Sequence, residues 1–234
     1  MKVFKILILS LFCVLNLSFG KDSSQNLKIA VLAANGKTGS LIVKEALDKK
    51  VQVTAFVRNS TQRLPQNASI IKKDIFNLTS DDLKDYNVII DAFGEWKDLS
   101  LHKKHMQHLI NILKDNNAKF IAIGGAGSLF VDKEHQIRLM DSPNFPDSYK
   151  GVAKATYEAF EVLKTSNLNY IYVSPPATYI ADDKKSGYIL GSDELFTNSN
   201  NESSGSYTDL ADAVIDLALD KNAKTKTHVS VVSK

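Results

Sequence analysis

The stretch from Leu27 to Gly39 limits the fold more than any other part of the sequence. Leu27-Lys28-Ile29-Ala30-Val31-Leu32 is short and almost wholly apolar, as a strand buried on both faces must be. Ala33-Ala34-Asn35-Gly36-Lys37-Thr38-Gly39 follows. From Lys37 to Lys49 the apolar residues Leu41, Ile42, Ala46 and Leu47 then recur at helical spacing. A tight turn from strand to helix needs residues with little or no side chain. Its backbone N–H groups and the positive end of the helix face outward, an arrangement suited to a pyrophosphate. Gly36 allows close approach of the phosphates, and Gly39 lets the helix pack on the sheet. The glycines are informative because they open the first helix of a β-α-β unit.

The same alternation continues along the chain. Residues 51–57, 69–73, 87–91, 119–123, 169–173 and 228–232 read as strands, and 100–114, 149–163 and 207–219 as helices. Strands separated by helices of this length predict a parallel sheet covered on both faces, hence a doubly wound α/β fold, a single Rossmann domain over residues 21–234. The composition, 44% hydrophobic and 24% charged, excludes a disordered, collagen-like or multi-span membrane chain. Two stretches break the rhythm: 126–147, with Pro143 and Pro146, and 178–206, which ends in Asn/Ser-rich sequence from Thr197 to Ser206. Both are expected over the binding crevice, with surface decoration an equal alternative for the Asn/Ser tract.

Residues 1–20 have the layout of a secretory signal peptide. Lys2 and Lys5 precede an apolar run from Ile6 to Phe19, and Ser18-Phe19-Gly20 supplies small residues before a polar stretch. The run is shorter than the roughly 20 residues of a bilayer crossing, so export is expected ahead of an N-terminal anchor. Removing the leader lowers the net charge from +3 to +1 and takes the only cysteine, Cys13. The rest can form neither a disulfide nor a cysteine-based metal site. No twin arginine precedes the apolar run, which implies export of an unfolded chain. No charge surplus or basic run implies a nucleic-acid partner, and no membrane contact is expected beyond the leader. The oligomeric state stays open.

After the second strand the chain reads Val57-Arg58-Asn59. An acidic residue at that strand end would bond an adenosine ribose and repel a 2′-phosphate. Arg58 can pair with that phosphate, which favours NADP(H) over NAD(H).

Ala33 to Gly39, Val57-Arg58-Asn59, Lys73-Asp74-Ile75-Phe76, Asp91-Ala92-Phe93-Gly94, Gly124-Gly125-Ala126-Gly127-Ser128-Leu129 and Val173-Ser174-Pro175-Pro176-Ala177 follow in order. Together they resemble the NAD(P)-binding, NmrA-like branch of the atypical short-chain dehydrogenases, in particular the NADH-flavin reductase group related to biliverdin reductase B. The resemblance spans residues 27–234 and implies a Rossmann domain that uses NAD(P)H to reduce flavins or similar conjugated acceptors. It implies that Ala33 and Asn35 to Gly39, with Lys37 and Thr38 between, hold the pyrophosphate. It places Arg58 on the 2′-phosphate, Asp74 and Ile75 beside the adenine, and Ala92, Phe93 and Gly94 along the cofactor. Gly124, Gly125 and Ala126 would lie by the nicotinamide ribose, and Ser174, Pro175, Pro176 and Ala177 behind the nicotinamide.

Two departures stand out. Ala33 replaces the family's opening glycine, which a negative φ would tolerate, although its Cβ crowds the phosphate site. The Tyr-x-x-x-Lys pair of ordinary short-chain dehydrogenases is missing: Tyr149 has Ala153 four residues on, with Lys154 one place late, and Tyr157 has Glu161. Carbonyl reduction with proton delivery therefore lacks its acid, whereas a flavin nitrogen can take a proton from solvent. Ser128 and Tyr149 are the polar groups expected to face a small-molecule acceptor, as catalytic candidates. Flavin reduction, a non-catalytic redox-sensing role and an exported domain with a vestigial cofactor site all remain open.

His102, His105 and His108 recur every third residue but point to different sides of one predicted helix, so no metal site is expected. Phe93 and Trp96 offer an aromatic wall for a planar ligand, or core packing. The Asn-x-Ser/Thr triplets at Asn59, Asn67, Asn77 and Asn201 matter only in a eukaryotic secretory pathway.

Overall fold

The computed structural model describes residues 27–180 and 184–234, so the expected leader lies outside the described residues. Strands β1 (Lys28–Leu32), β2 (Gln52–Val57), β3 (Ser69–Lys72), β4 (Val88–Asp91), β5 (Lys119–Ile123) and β6 (Asn169–Ser174) carry the first part of the chain. β7 (Thr178–Ile180), β8 (Tyr188–Gly191), β9 (Ser204–Ser206) and β10 (Thr227–Ser233) complete it. The helices are α1 (Lys37–Asp48), α2 (Ser80–Leu83), α3 (Ser100–Leu113), α4 (Asp147–Lys164) and α5 (Tyr207–Leu219).

Eight strands form one sheet in the order β3-β2-β1-β4-β5-β6-β10-β8. All pair in parallel except β8, which lies antiparallel to β10 at the edge. Alternate residues of β1 feed two separate cores. Ile29 and Val31 pack with Ile42, Val43 and Ala46 of α1 and with Leu210 and Val214 of α5. Ala30 and Leu32 pack with Met106 and Leu109 of α3 and with Phe160 and Leu163 of α4. Burial on both faces is why these strands read as unbroken apolar runs. The result is a single doubly wound domain of Rossmann type.

The α1–α5 layer is fastened by charge as well as apolar contact. Lys49 Nζ lies 2.6 Å from Asp212 and Lys185 Nζ 2.8 Å from Glu45. α1 ends in a Schellman turn: the Lys50 N–H donates to Leu47 O and that of Val51 to Ala46 O, both at 2.9 Å. Lys50 occupies the left-handed position of that turn, at φ 59°.

The segment 178–206 departs from expectation. Among its described residues it holds three strands, and only Thr178 and Tyr179 of them line the crevice. β8 extends the far edge of the sheet instead, and the Asn/Ser tract is ordered by its own side chains. Asn198 Oδ1 accepts the N–H groups of Asn200 and Glu202 at 3.0 and 3.2 Å, which turns the chain into β9 beside β7. Short polar side chains bonding nearby backbone explain a loop composition that is nevertheless fixed. Among the described residues no helix is long and apolar enough to cross a membrane.

Candidate nucleotide-binding crevice

The strand order reverses between β1 and β4, and there a crevice opens at the carboxyl ends of the strands. Its volume is about 1370 Å³, above the roughly 300–1,000 Å³ of a pocket for one small ligand. Two molecules can share it.

One end is built by the turn into α1. Asn35, Gly36, Lys37 and Thr38 line it. Gly36 is the N-cap, with φ −65° and no side-chain cap, so the first-turn N–H groups are left for a ligand. Gly39 lies beneath this surface. A Cβ there would sit 2.9 Å from both Ala33 O and Ala34 Cα, so its hydrogen lets α1 close onto β1. Ala33 lines the crevice at φ 53°, not at the negative φ that an alanine tolerates without strain. Asn35 Oδ1 accepts the Arg63 N–H at 3.0 Å and ties the turn to the loop after β2. Lys37 turns aside to lie 3.9 Å over the Tyr207 ring, which stacks on Tyr179 at 3.8 Å. A glycine turn and an uncapped 12-residue helix whose first residues line the crevice fit a pyrophosphate.

Arg58, exposed at the end of β2, lines the crevice and makes no ion pair among the described residues. Lys73 beside it is engaged with Asp82 at 2.6 Å. Asp74 and Ile75 also line this part, and Asp74 Oδ1 accepts the Phe76 N–H at 2.9 Å.

Ala92, Phe93 and Gly94 follow β4 along the wall. Phe93 is held from behind by a pair that sequence reasoning missed. Buried Asp91 accepts the Phe93 N–H at 3.1 Å and lies 2.9 Å from His105 Nε2, and the His105 ring stacks on Phe93 at 4.1 Å. An Asp ending a strand before a His-bearing helix is the only signal of it. His102 Nε2 donates to Glu95 O at 2.8 Å and His108 Nε2 to Leu78 O at 3.1 Å, so the three histidines serve three separate partners.

Gly124, Gly125, Ala126, Pro175, Pro176 and Ala177 line the floor past β5 and β6. A Cβ on Gly124 would fall 2.0 Å from Tyr172 Cζ. Ser128 corrects the sequence reading, for it lies under the floor rather than facing a ligand, and Ser174 is buried beside it behind the lining residues. Ser128 Oγ donates to Gly125 O at 2.9 Å and is 3.0 Å from Ser174 Oγ. Ser174, fully buried, is 2.8 Å from His228 Nε2. Buried hydroxyls need partners, and the Gly125 carbonyl and His228 supply them. Burial pushes the His228 imidazole down to about 4.

The far end is aromatic. Tyr149 and Trp96, 52% and 65% exposed, meet edge to face at 6.0 Å, with Phe145 and Pro146 beside them. Lys154 is exposed and does not line the crevice. Burial, then a hydrogen bond to Glu161, raises the Tyr157 phenol, so neither tyrosine of α4 has a lysine partner in the crevice.

Residues 33–221 match the family model described as NAD(P)H-binding. The chain is 38% identical over 194 residues to the uncharacterized protein YwnB of Bacillus subtilis strain 168, covering 81% of this chain and 91% of YwnB. Among solved structures it is similar to SP1627 of Streptococcus pneumoniae TIGR4, named "a putative NADH-flavin reductase". That likeness has 39% identity and a TM-score of 0.84, over 89% of this chain and 100% of the other. A "putative exported protein" of Burkholderia pseudomallei is 26% identical with a TM-score of 0.76, over 88% and 99% of the two chains. With the glycine turn, the uncapped helix and the crevice at the strand reversal in place, the matches have one reading: this chain belongs to the NAD(P)H-binding family.

Proposed function

We propose that this protein is an NADPH-dependent oxidoreductase that reduces a flavin or a similarly flat, conjugated small molecule outside the cytoplasm. The observation that carries the reading is the joining of two unlike ends in one crevice. A phosphate-binding turn stands at one end and an exposed aromatic pair, Trp96 and Tyr149, at the other. A bound NADPH supplies a hydride to an acceptor held against its nicotinamide ring. The first-turn N–H groups of α1 bind the pyrophosphate, and Arg58, which makes no ion pair among the described residues, pairs with the 2′-phosphate. Phe93, braced by Asp91 and His105, and the glycine floor fix the plane of the cofactor site. Trp96, Tyr149 and Phe145 hold a flat acceptor by stacking and exclude water. Among the described residues no phenol–ammonium dyad lines the crevice to protonate a carbonyl, whereas a flavin nitrogen takes its proton from solvent. The name of SP1627 supports the flavin reading. The leader-like residues 1–20 and the name of the Burkholderia protein support export.

Trp96, the only tryptophan, reports on the site. Titration with NADPH should quench its fluorescence saturably and at lower concentration than NADH does. Arg58→Ala should weaken NADPH by about tenfold, leaving NADH little changed. Absence of quenching and of calorimetric heat with both dinucleotides would refute the proposal.

A further inference from the structure

The cations lining the crevice, Lys37, Arg58 and Lys73, all stand at one end, on the turn into α1 and the ends of β2 and β3, with the Asp74 carboxylate beside Lys73. Among the described residues, the aromatic end has a single charged lining side chain, Glu95. Glu95 immediately precedes Trp96, and its Oε1 accepts the N–H groups of Trp96 and Lys97 at 2.8 and 2.6 Å. Those bonds, the Lys97 N–H foremost, hold its carboxyl below the usual range, so it stays anionic near neutral pH. Asp98, Asp147, Lys97 and Lys150 do not line the crevice, and Lys150 is committed to Asp147 at 2.7 Å, so they leave Glu95 as the lining charge of this end.

From this sorting we infer that the acceptor end selects flat aromatic molecules without a phosphate, so that an unphosphorylated isoalloxazine is preferred over its phosphate ester. The inference rests on the proposed flavin acceptor and narrows it. A ring stacked on Trp96 brings its side chain to the mouth where Glu95 stands. A dianionic phosphate there meets like charge and, among the described residues lining that end, no cation, whereas the ribityl hydroxyls of riboflavin meet a carboxylate acceptor. A cationic site at that end would give the opposite order.

Riboflavin and FMN share one chromophore and differ only in the phosphate, so they make a matched pair of probes. Quenching of Trp96 by each gives binding without turnover, and the full chain with NADPH gives kcat/KM for each. At low ionic strength riboflavin should be favoured by about fivefold or more in both measurements. That ratio should fall toward one as ionic strength rises to about 1 M, where screening acts within about 3 Å. Glu95→Gln, which keeps an oxygen for the backbone N–H groups, should narrow it through the FMN arm. FMN bound or reduced as well as riboflavin, with a ratio insensitive to salt, would overturn the inference and leave the flavin reductase reading standing. Failure of both flavins to bind or react, with NADPH still bound, would overturn the reductase reading and this inference with it.

Discussion

Ala33 carries a strain that can be removed by deleting one methyl group. At φ 53° it lies in the left-handed region, where the Cβ of an L-residue approaches the following carbonyl at a cost of about 1–2 kcal/mol. Ala33→Gly removes that clash. The more flexible unfolded glycine chain gives back about 0.4–1 kcal/mol, so the net gain is about 0.5–1 kcal/mol. At about 2–4 °C per kcal/mol for a chain of this size, Tm should rise by about 1–4 °C. Lys50 is the control: it has φ 59° in the turn after α1, is exposed, and does not line the crevice. Lys50→Gly should give a similar gain by the same physics and leave NADPH affinity alone. Ala33→Gly should match it in stability and also tighten NADPH, because the lost Cβ stood in the crevice wall. Ala33→Val, β-branched at positive φ, should lose stability. Urea and thermal melts with Trp96 titrations measure all three variants. A destabilised Ala33→Gly beside a stabilised Lys50→Gly would show that the alanine makes contacts worth more than its strain, and the reasoning would fail.

Other outcomes follow from the floor and the layers. Gly124→Ala should cost about 2–3 kcal/mol or more in urea unfolding, because the new Cβ lands on the buried Tyr172 ring, which has no free direction in which to move. His228 is pushed down to about 4 in the folded chain against about 6.5 when unfolded. Its contribution is therefore fully present above pH 6.5 and is lost as pH falls toward 4, by up to about 3 kcal/mol. His228→Gln should flatten that part of the pH–stability curve, and an unchanged slope would refute the assignment. His105→Ala should destabilise by about 2–4 kcal/mol, because it strands the buried Asp91 carboxylate. It should also broaden the dependence of turnover on acceptor by freeing Phe93.

The fold was legible because its causes are local and periodic. Strands buried on both faces must be apolar throughout, helices packed on one side must show a stripe, and β1, β5 and α5 accordingly lie within a residue of where those patterns put them. The turn from Ala33 to Gly39 was legible for a similar reason, since a strand-to-helix corner that packs closely has room for few side chains. The backbone angle of Ala33 was not, because alanine carries no mark of the φ that its neighbours impose. β8 and β9 were missed because three or four residues are too few to show a period, and their partners β10 and β7 are remote or equally short. Ser128 looked like a ligand-facing hydroxyl from its place after β5. Only the tertiary structure shows it buried against the Gly125 carbonyl and Ser174, with His228, more than fifty residues past Ser174, meeting that serine beneath the floor. The Asp91–His105 brace under Phe93 and the separation of cations from Glu95 have the same origin. Sequence determines which segments pair and which corner is left with few side chains, whereas side chains from distant segments meet only once the sheet is assembled, and that assembly decides which polar groups face the crevice and which hold the wall behind it.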